Sequence, residues 1–188
     1  MKKVLALALV ALASAAVQAQ TWSFDRSHSS VAFAVKHLLV STTRGEFDSF
    51  TVELTGDAAK PTTLSAKVSI PVASIDTRND KRDEHLRAPD FFDAAKYPTI
   101  EFVSTKVVKK GKQWAMLGNL TMHGVTKAIE IPFTVSGPVV DPWKNTRIGL
   151  EGSLTINRKD YGVGAETPDA VVGDEVVINL SYEGILQK

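Results

Sequence analysis

From residue 30 onward the chain alternates bulky apolar residues with small or polar ones. Val31, Phe33, Val35 and His37 stand against Ser30, Ala32, Ala34 and Lys36. Successive side chains of a strand point to opposite faces, so this period of two predicts a strand with one buried face. The period recurs at Phe50, Val52 and Leu54, at Leu64, Ala66, Val68, Ile70 and Val72, and at Ile100 and Phe102. It continues through Trp114, Met116, Leu120 and Met122, then Ile129, Ile131, Phe133 and Val135. Ile148, Leu150, Leu154 and Ile156 make the next row, and Val176, Ile178, Leu180 and Tyr182 the last. These rows predict eight long strands, preceded by a short one near 22–25. Turn signals at Gly56-Asp57, Lys110-Gly111, His123-Gly124 and Asp141-Pro142 separate several of them. Short connections favour antiparallel pairing, and strands with one apolar face must stack as a sandwich or close on themselves. The fold class expected is all-β, an eight-stranded antiparallel barrel, which is wide enough to enclose a small ligand.

One stretch breaks the alternation. The run RNDKRDEHLR at 78–87 is dense in charge and predicts a short helix, ended by Ala88-Pro89. It lies in the long connection between the third and fourth strands, before Phe91-Phe92 and Tyr97-Pro98. A connection of this length in a compact domain is often functional, and the 76–92 segment is a candidate lid.

The first residues read as an address. Lys2 and Lys3 precede an apolar run from Val4 to Val17, and Val17-Gln18-Ala19 has the small residues of a cleavage site. This is the layout of a secretory signal peptide, with an apolar run too short to span a membrane. The expected division is a leader at 1–19, cut after Ala19, and one domain at 20–188. Losing Lys2 and Lys3 would leave 20 cations against 21 acids, a charge of −1 on the mature chain. The expected location is the periplasm, as a protein that is not membrane-integral. The whole chain carries 22 Lys and Arg against 21 Asp and Glu, which argues against a nucleic-acid partner. It has no cysteine, which excludes disulfides, thiolate metal sites and thiol catalysis.

No G-x-S-x-G, H-E-x-x-H or Gly-rich phosphate loop is present. The four histidines, His28, His37, His85 and His123, show no metal-ligand spacing, so neither metal nor cofactor is expected. Asp83 and Glu84 are neighbours, and neighbours on a helix diverge by about 100°, which gives little support to a paired-carboxylate hydrolase. The alternative to a binding protein is a hydrolase or isomerase using the His85/Asp83 region. A second alternative is an outer-membrane barrel with its apolar face outward, against which the missing aromatic girdles weigh.

If the sheet closes with its apolar face inward, it encloses an elongated apolar interior suited to a lipid tail. Residues expected to line that channel are Phe33, Val35, Phe50, Val68, Ile70, Phe102 and Trp114, with Met116, Leu120, Ile131, Phe133, Leu150 and Ile178. His37, Asp76, Arg82, His85 and Arg147 are expected at a polar rim, where they would meet a head group. Ten buried methylenes contribute roughly 8 kcal/mol before ordering costs, enough for micromolar binding.

Several segments carry a resemblance. They are VAFAVKHL at 31–38, GEFDSF at 45–50, SIDTRNDKRDEHLRAPDFFDAAKYPTIEF at 74–102, GNLTMHGVTK at 118–127, DPWKNTRIGLEGSLTINRKDYG at 141–162 and DEVVINLSYEG at 174–184. In these the chain resembles the YceI-like family, bacterial lipocalin-like periplasmic proteins associated with polyisoprenoid binding. The resemblance implies an extended lipocalin-like barrel and a polyprenyl or similar amphipathic lipid as ligand, quinone-like and fatty acyl tails included. It also implies a homodimer and no enzymatic activity.

Overall fold

The computed structural model describes residues 19–187, so the expected leader, Ala19 apart, lies outside the described residues. The strands are β1 (Thr21–Phe24), β2 (Ser30–His37), β3 (Ser41–Phe47), β4 (Thr51–Thr55), β5 (Ser65–Pro71) and β6 (Ile75–Asp76). The single α-helix among the described residues, α1 (Asp80–Arg87), comes next. Then follow β7 (Thr99–Lys110), β8 (Gln113–Met122), β9 (Val125–Val140), β10 (Thr146–Asn157) and β11 (Val172–Leu186). Every pairing is antiparallel, and the circuit β1-β4-β5-β7-β8-β9-β10-β11 closes through β1 on β11.

The eleven segments lie on eight strand lines, because three lines are bent. β2 continues β1 along the same edge of β11, β3 runs into β4, and β5 runs into β6. The three breaks, at 25–29, 48–50 and 72–74, are tied side by side. The Asp48 N–H donates to the Ser74 carbonyl at 2.8 Å, and the Ser74 hydroxyl donates to the Ser49 carbonyl at 3.0 Å. The Arg26 guanidinium donates to the Asp48 carbonyl and lies 4.8 Å from the Phe50 ring centre.

Register carries the apolar rows to one interior. Phe33 faces Ile178, Val68 faces Phe102, Phe102 faces Leu120 and Met116 faces Ile131 across their ladders. Outward positions such as Glu53, Lys67, Asn119 and Asn179 are polar. The β8–β9 hairpin closes in two residues, His123 (φ 51°) and Gly124 (φ 75°), the left-handed pair that such a tight turn requires. At the end where β1, β4 and the last residues of β11 meet, Trp22, Leu54, Leu64 and Ile148 are almost fully buried and form a packed floor. The Trp22 indole N–H is satisfied by the Gly56 carbonyl at 2.9 Å.

The opposite end is where the wall is incomplete. β6 pairs with β3 alone and leaves an edge above the β5–β7 ladder. The 77–98 segment fills this gap. Its helix starts on Asn79, whose side-chain oxygen accepts the Arg82 N–H at 3.0 Å, and Pro89 bars its continuation.

Sequence patterning missed β3 altogether. Its residues, STTRGEF, have a single bulky apolar side chain, Phe47 at the end, and show no apolar row. They are in a strand because β2 and β6 supply partners on either side, and because Gly45 leaves room for the Phe33 ring. A β-carbon at Gly45 would stand 2.5 Å from Phe33 Cζ.

Candidate functional site

The barrel interior holds an apolar cavity of about 180 Å³, toward the end covered by α1. A second, of about 110 Å³, lies nearer the floor. The two share Val31, Val68, Phe102, Ile131 and Leu180, which form a waist between them. The 77–98 segment completes the larger chamber with Leu86, Phe91 and Phe92. Ile129, Ile131, Leu154, Ile156 and Ile178 point inward yet remain partly accessible, because they border the cavity instead of packing against a facing side chain. Apolar walls of this kind offer dispersion contacts and desolvation to a hydrocarbon, and no directed polar contact.

Most of the residues expected to line a channel border these two cavities. Phe33, Val35, Val68, Ile70, Phe102, Leu120, Ile131 and Ile178 line the larger chamber. Phe50, Met116, Phe133 and Leu150 line the smaller one. Trp114 is the exception. It packs half-buried against the edge of the core and contributes to neither chamber, with Lys109 Nζ 5.5 Å from its ring centre. Near the floor the interior is already filled by Trp22, Leu54, Phe133 and Tyr182, and the Trp114 indole is left at the margin.

The polar residues expected at one rim divide between the two ends. His37 is exposed at the end of β2, and Asp76 accepts the Arg78 N–H at 2.6 Å beside the helix. Arg82 grips Thr77, with Nε donating to Oγ1 and Nη2 to the carbonyl, each at 2.7 Å. His85 is exposed, 2.7 Å from Asp90 Oδ2, and this contact holds the Asp90 carboxyl below its ordinary pKa.

Arg147 lies at the floor end, so its expected place on the same rim is corrected. It pairs with Asp25 Oδ2 at 2.9 Å, Asp141 Oδ2 at 2.7 Å and Glu183 Oε1 at 2.5 Å. The Ser27 hydroxyl and the Arg147 guanidinium hold Asp25 well below the usual carboxylate range. Desolvation would raise Asp141, but Arg147 and Asn145 outweigh it and pull the group down to about 2. Asp25, His28 and Glu183 bring possible metal-ligand atoms within 4.8 Å of one another, but the Arg147 guanidinium already neutralises two of them.

Asp83 and His85 do not form an acid–base pair. Asp83 is buried, and its Oδ1 accepts from the Thr77 N–H at 2.9 Å and the Thr77 hydroxyl at 2.5 Å. His85 points the other way, to Asp90. His123 sits apart from both, 3.0 Å from the Tyr161 carbonyl.

Arg158 went unnoticed in the sequence, and among the described residues it is the one charged side chain lining the larger chamber. It is 4% exposed, and every donor is engaged. Nε reaches the Gly173 carbonyl at 3.1 Å, and Nη1 the carbonyls of Val163 (3.0 Å) and Gly164. Nη2 reaches the carbonyls of Thr167 (2.8 Å) and Val172 (2.9 Å) and Asp174 Oδ1 (2.9 Å). It stitches down the loop between β10 and β11 and turns its charge away from the cavity. The signal was available, since Arg158 continues the inward row of Leu154 and Ile156.

A model of the YceI-like domain matches residues 22–184 of the chain. The UPF0312 protein of Pseudomonas aeruginosa (strain PAO1) is 38% identical over 188 residues, covering 96% of this chain and 97% of the relative. BcnA of Burkholderia cenocepacia shares the fold with a TM-score of 0.77 and 28% identity, over 86% of this chain and 99% of that one. A polyisoprenoid binding domain from Saccharophagus degradans matches in fold, with a TM-score of 0.71 and 18% identity, over 89% and 99% of the two chains.

Proposed function

Because this chain belongs to the YceI-like family, we propose that it binds the tail of a polyisoprenoid or similar amphipathic lipid inside its barrel. Quinone-like and fatty acyl tails are included. The observation that carries this reading is the larger chamber, whose side chains are apolar except for Arg158, and that charge is spent on loop carbonyls. A tail enters without stranding a polar group, so its burial is not offset by lost hydrogen bonds. The polyisoprenoid binding domain of similar fold supports the choice of ligand.

In this reading Phe33, Ile131 and Ile178 hold the tail beside the waist, Val35 holds it nearer the end of β2, and Phe50, Met116 and Phe133 receive its end. His37, Asp76, Arg82 and His85 stand nearest the head group. The protein acts by holding and releasing, without bond chemistry. Export to the periplasm, with the leader cut after Ala19, follows from the layout of residues 1–19. No helix among the described residues is long and apolar enough to cross a membrane. A homodimer has a suitable surface in the β9–β10 hairpin, where Val139, Val140 and Trp143 are exposed.

The test compares native and denatured masses of protein purified from its host without detergent. The expected result is an excess native mass, released on denaturation and extractable as a prenyl or acyl lipid. Phe33→Asp, which places a charge in the chamber wall, and Leu154→Trp, which fills it, should each lower uptake of added polyprenol at least roughly tenfold. Unchanged uptake by both folded variants would sink the proposal.

A further inference from the structure

The β2–β3 hairpin ends in a turn whose residues do not suit it. Leu38 and Leu39 are its central pair, with φ of 49° and 60°, and the Val40 N–H closes the turn on the His37 carbonyl at 3.2 Å. A turn with both central residues in the left-handed region favours Asn-Gly, because a β-carbon crowds the backbone there. Two adjacent leucines are a costly choice. They are also exposed, Leu38 at 51% and Leu39 at 66%, and Val40 beside them at 84%. Val171, whose carbonyl accepts the Leu38 N–H at 3.0 Å, extends the apolar cluster across to the neighbouring loop. Neither turn geometry nor core packing accounts for these side chains.

Two further observations say what covers them. The tip is continuous with the cavity wall, since Val35, two residues before His37, and Val172, the ladder partner of His37, both line the larger chamber. The hairpin also carries cations. Between Lys36 and Gly45 it has Lys36 and Arg44, both exposed, and no acid, while the exposed acids Glu46 and Asp169 lie farther from the tip on β3 and in the neighbouring loop. Apolar side chains at a protruding tip, with cations set just behind them, match the boundary of a bilayer, with its acyl interior and anionic headgroups.

We propose that this hairpin tip docks the protein on an anionic lipid bilayer. Leu38, Leu39 and Val40 enter the acyl boundary, while Lys36 and Arg44 stay at headgroup level. The end of the barrel that leads to the larger chamber is thereby held against the source of its ligand. The docking rests on the tail-binding reading for its purpose, but its geometry stands alone.

The decisive variant is Leu38→Asn/Leu39→Gly. It gives the turn its preferred residues, so the barrel should fold with an unchanged or higher Tm. The assay is flotation with phosphatidylethanolamine vesicles, with and without phosphatidylglycerol, beside uptake of farnesol from solution. The unsubstituted protein should float with the anionic vesicles, less so in high salt. The variant should lose vesicle affinity roughly tenfold or more, with farnesol uptake unchanged. Equal flotation of the two proteins, or flotation of neither, overturns the proposal. A dimer of the unsubstituted protein that dissociates in the variant also overturns it, since the tip would then contact a second copy. Failure of the unsubstituted protein to take up farnesol would count against the tail-binding reading alone, and flotation would still decide the docking.

Discussion

At the scale of single residues, buried charge is the most informative feature of the interior. Arg158 keeps the larger chamber apolar by spending its donors on loop carbonyls and Asp174. Arg158→Met keeps the stem and orphans those acceptors, so we expect a loss of about 3 kcal/mol or more in chemical denaturation. A loss below about 1 kcal/mol would show that the loop holds itself. The residue also marks where reading the sequence stopped short. The inward phase of Phe33, Phe102 and Ile178 was legible because strand alternation is local. The fate of a charge in that phase was not, because its partners come from residues 163–174 and are fixed only by folding. Trp114 shows the converse, since its phase placed it inward and packing left it at the margin.

At the scale of elements, the 77–98 segment is a separately stapled panel. The charged run announced the helix, and the structure places it at Asp80–Arg87, inside the expected stretch. Asp83 stood out in the sequence as half of the alternative His85/Asp83 region, but its anchoring partner, Thr77, was not legible. The burial of Asp83 and its two bonds from Thr77 emerge only once the helix is docked. Asp83→Ala leaves the buried Thr77 N–H without an acceptor, a cost of about 1–3 kcal/mol. That cost should fall on the panel, so amides of 77–92 should exchange faster than in the parent while those of β8 and β10 keep their protection. Uniformly faster exchange would mean that the panel and barrel unfold as one unit. β3 is the complementary lesson. Its polar sequence gave no period, and its strand state comes from neighbours on both edges.

At the scale of the whole molecule, the cluster around Arg147 ties the start of the chain to its end. Asp25 follows β1, Asp141 sits in the β9–β10 hairpin and Glu183 is on β11. Asp25 and Asp141 both have folded pKa values below their ordinary 3.8, about 2 for Asp141. The unfolded chain therefore binds protons first. The stability these groups contribute is complete above the ordinary value and is lost as pH falls through the folded one. Thermal melts should show Tm falling steeply between about pH 4 and 2. Arg147→Gln should lower Tm at neutral pH and flatten that slope. An unchanged slope would assign the acid sensitivity to other carboxylates.

The aligned breaks at 25–29, 48–50 and 72–74 have a mechanical consequence. A closed ring of strands resists widening as a hoop does, since its ladders act in series and one of them must fail. This hoop is pleated on one side, and beyond the pleat β2, β3 and β6 run out to an edge that no strand continues and that the 77–98 segment covers. That flap can lean outward without parting any ladder among β7, β8, β9, β10 and β11. On the proposed tail-binding reading, a guest's girth would be taken up by the flap, and its length gauged against the packed floor of Trp22, Leu54 and Ile148.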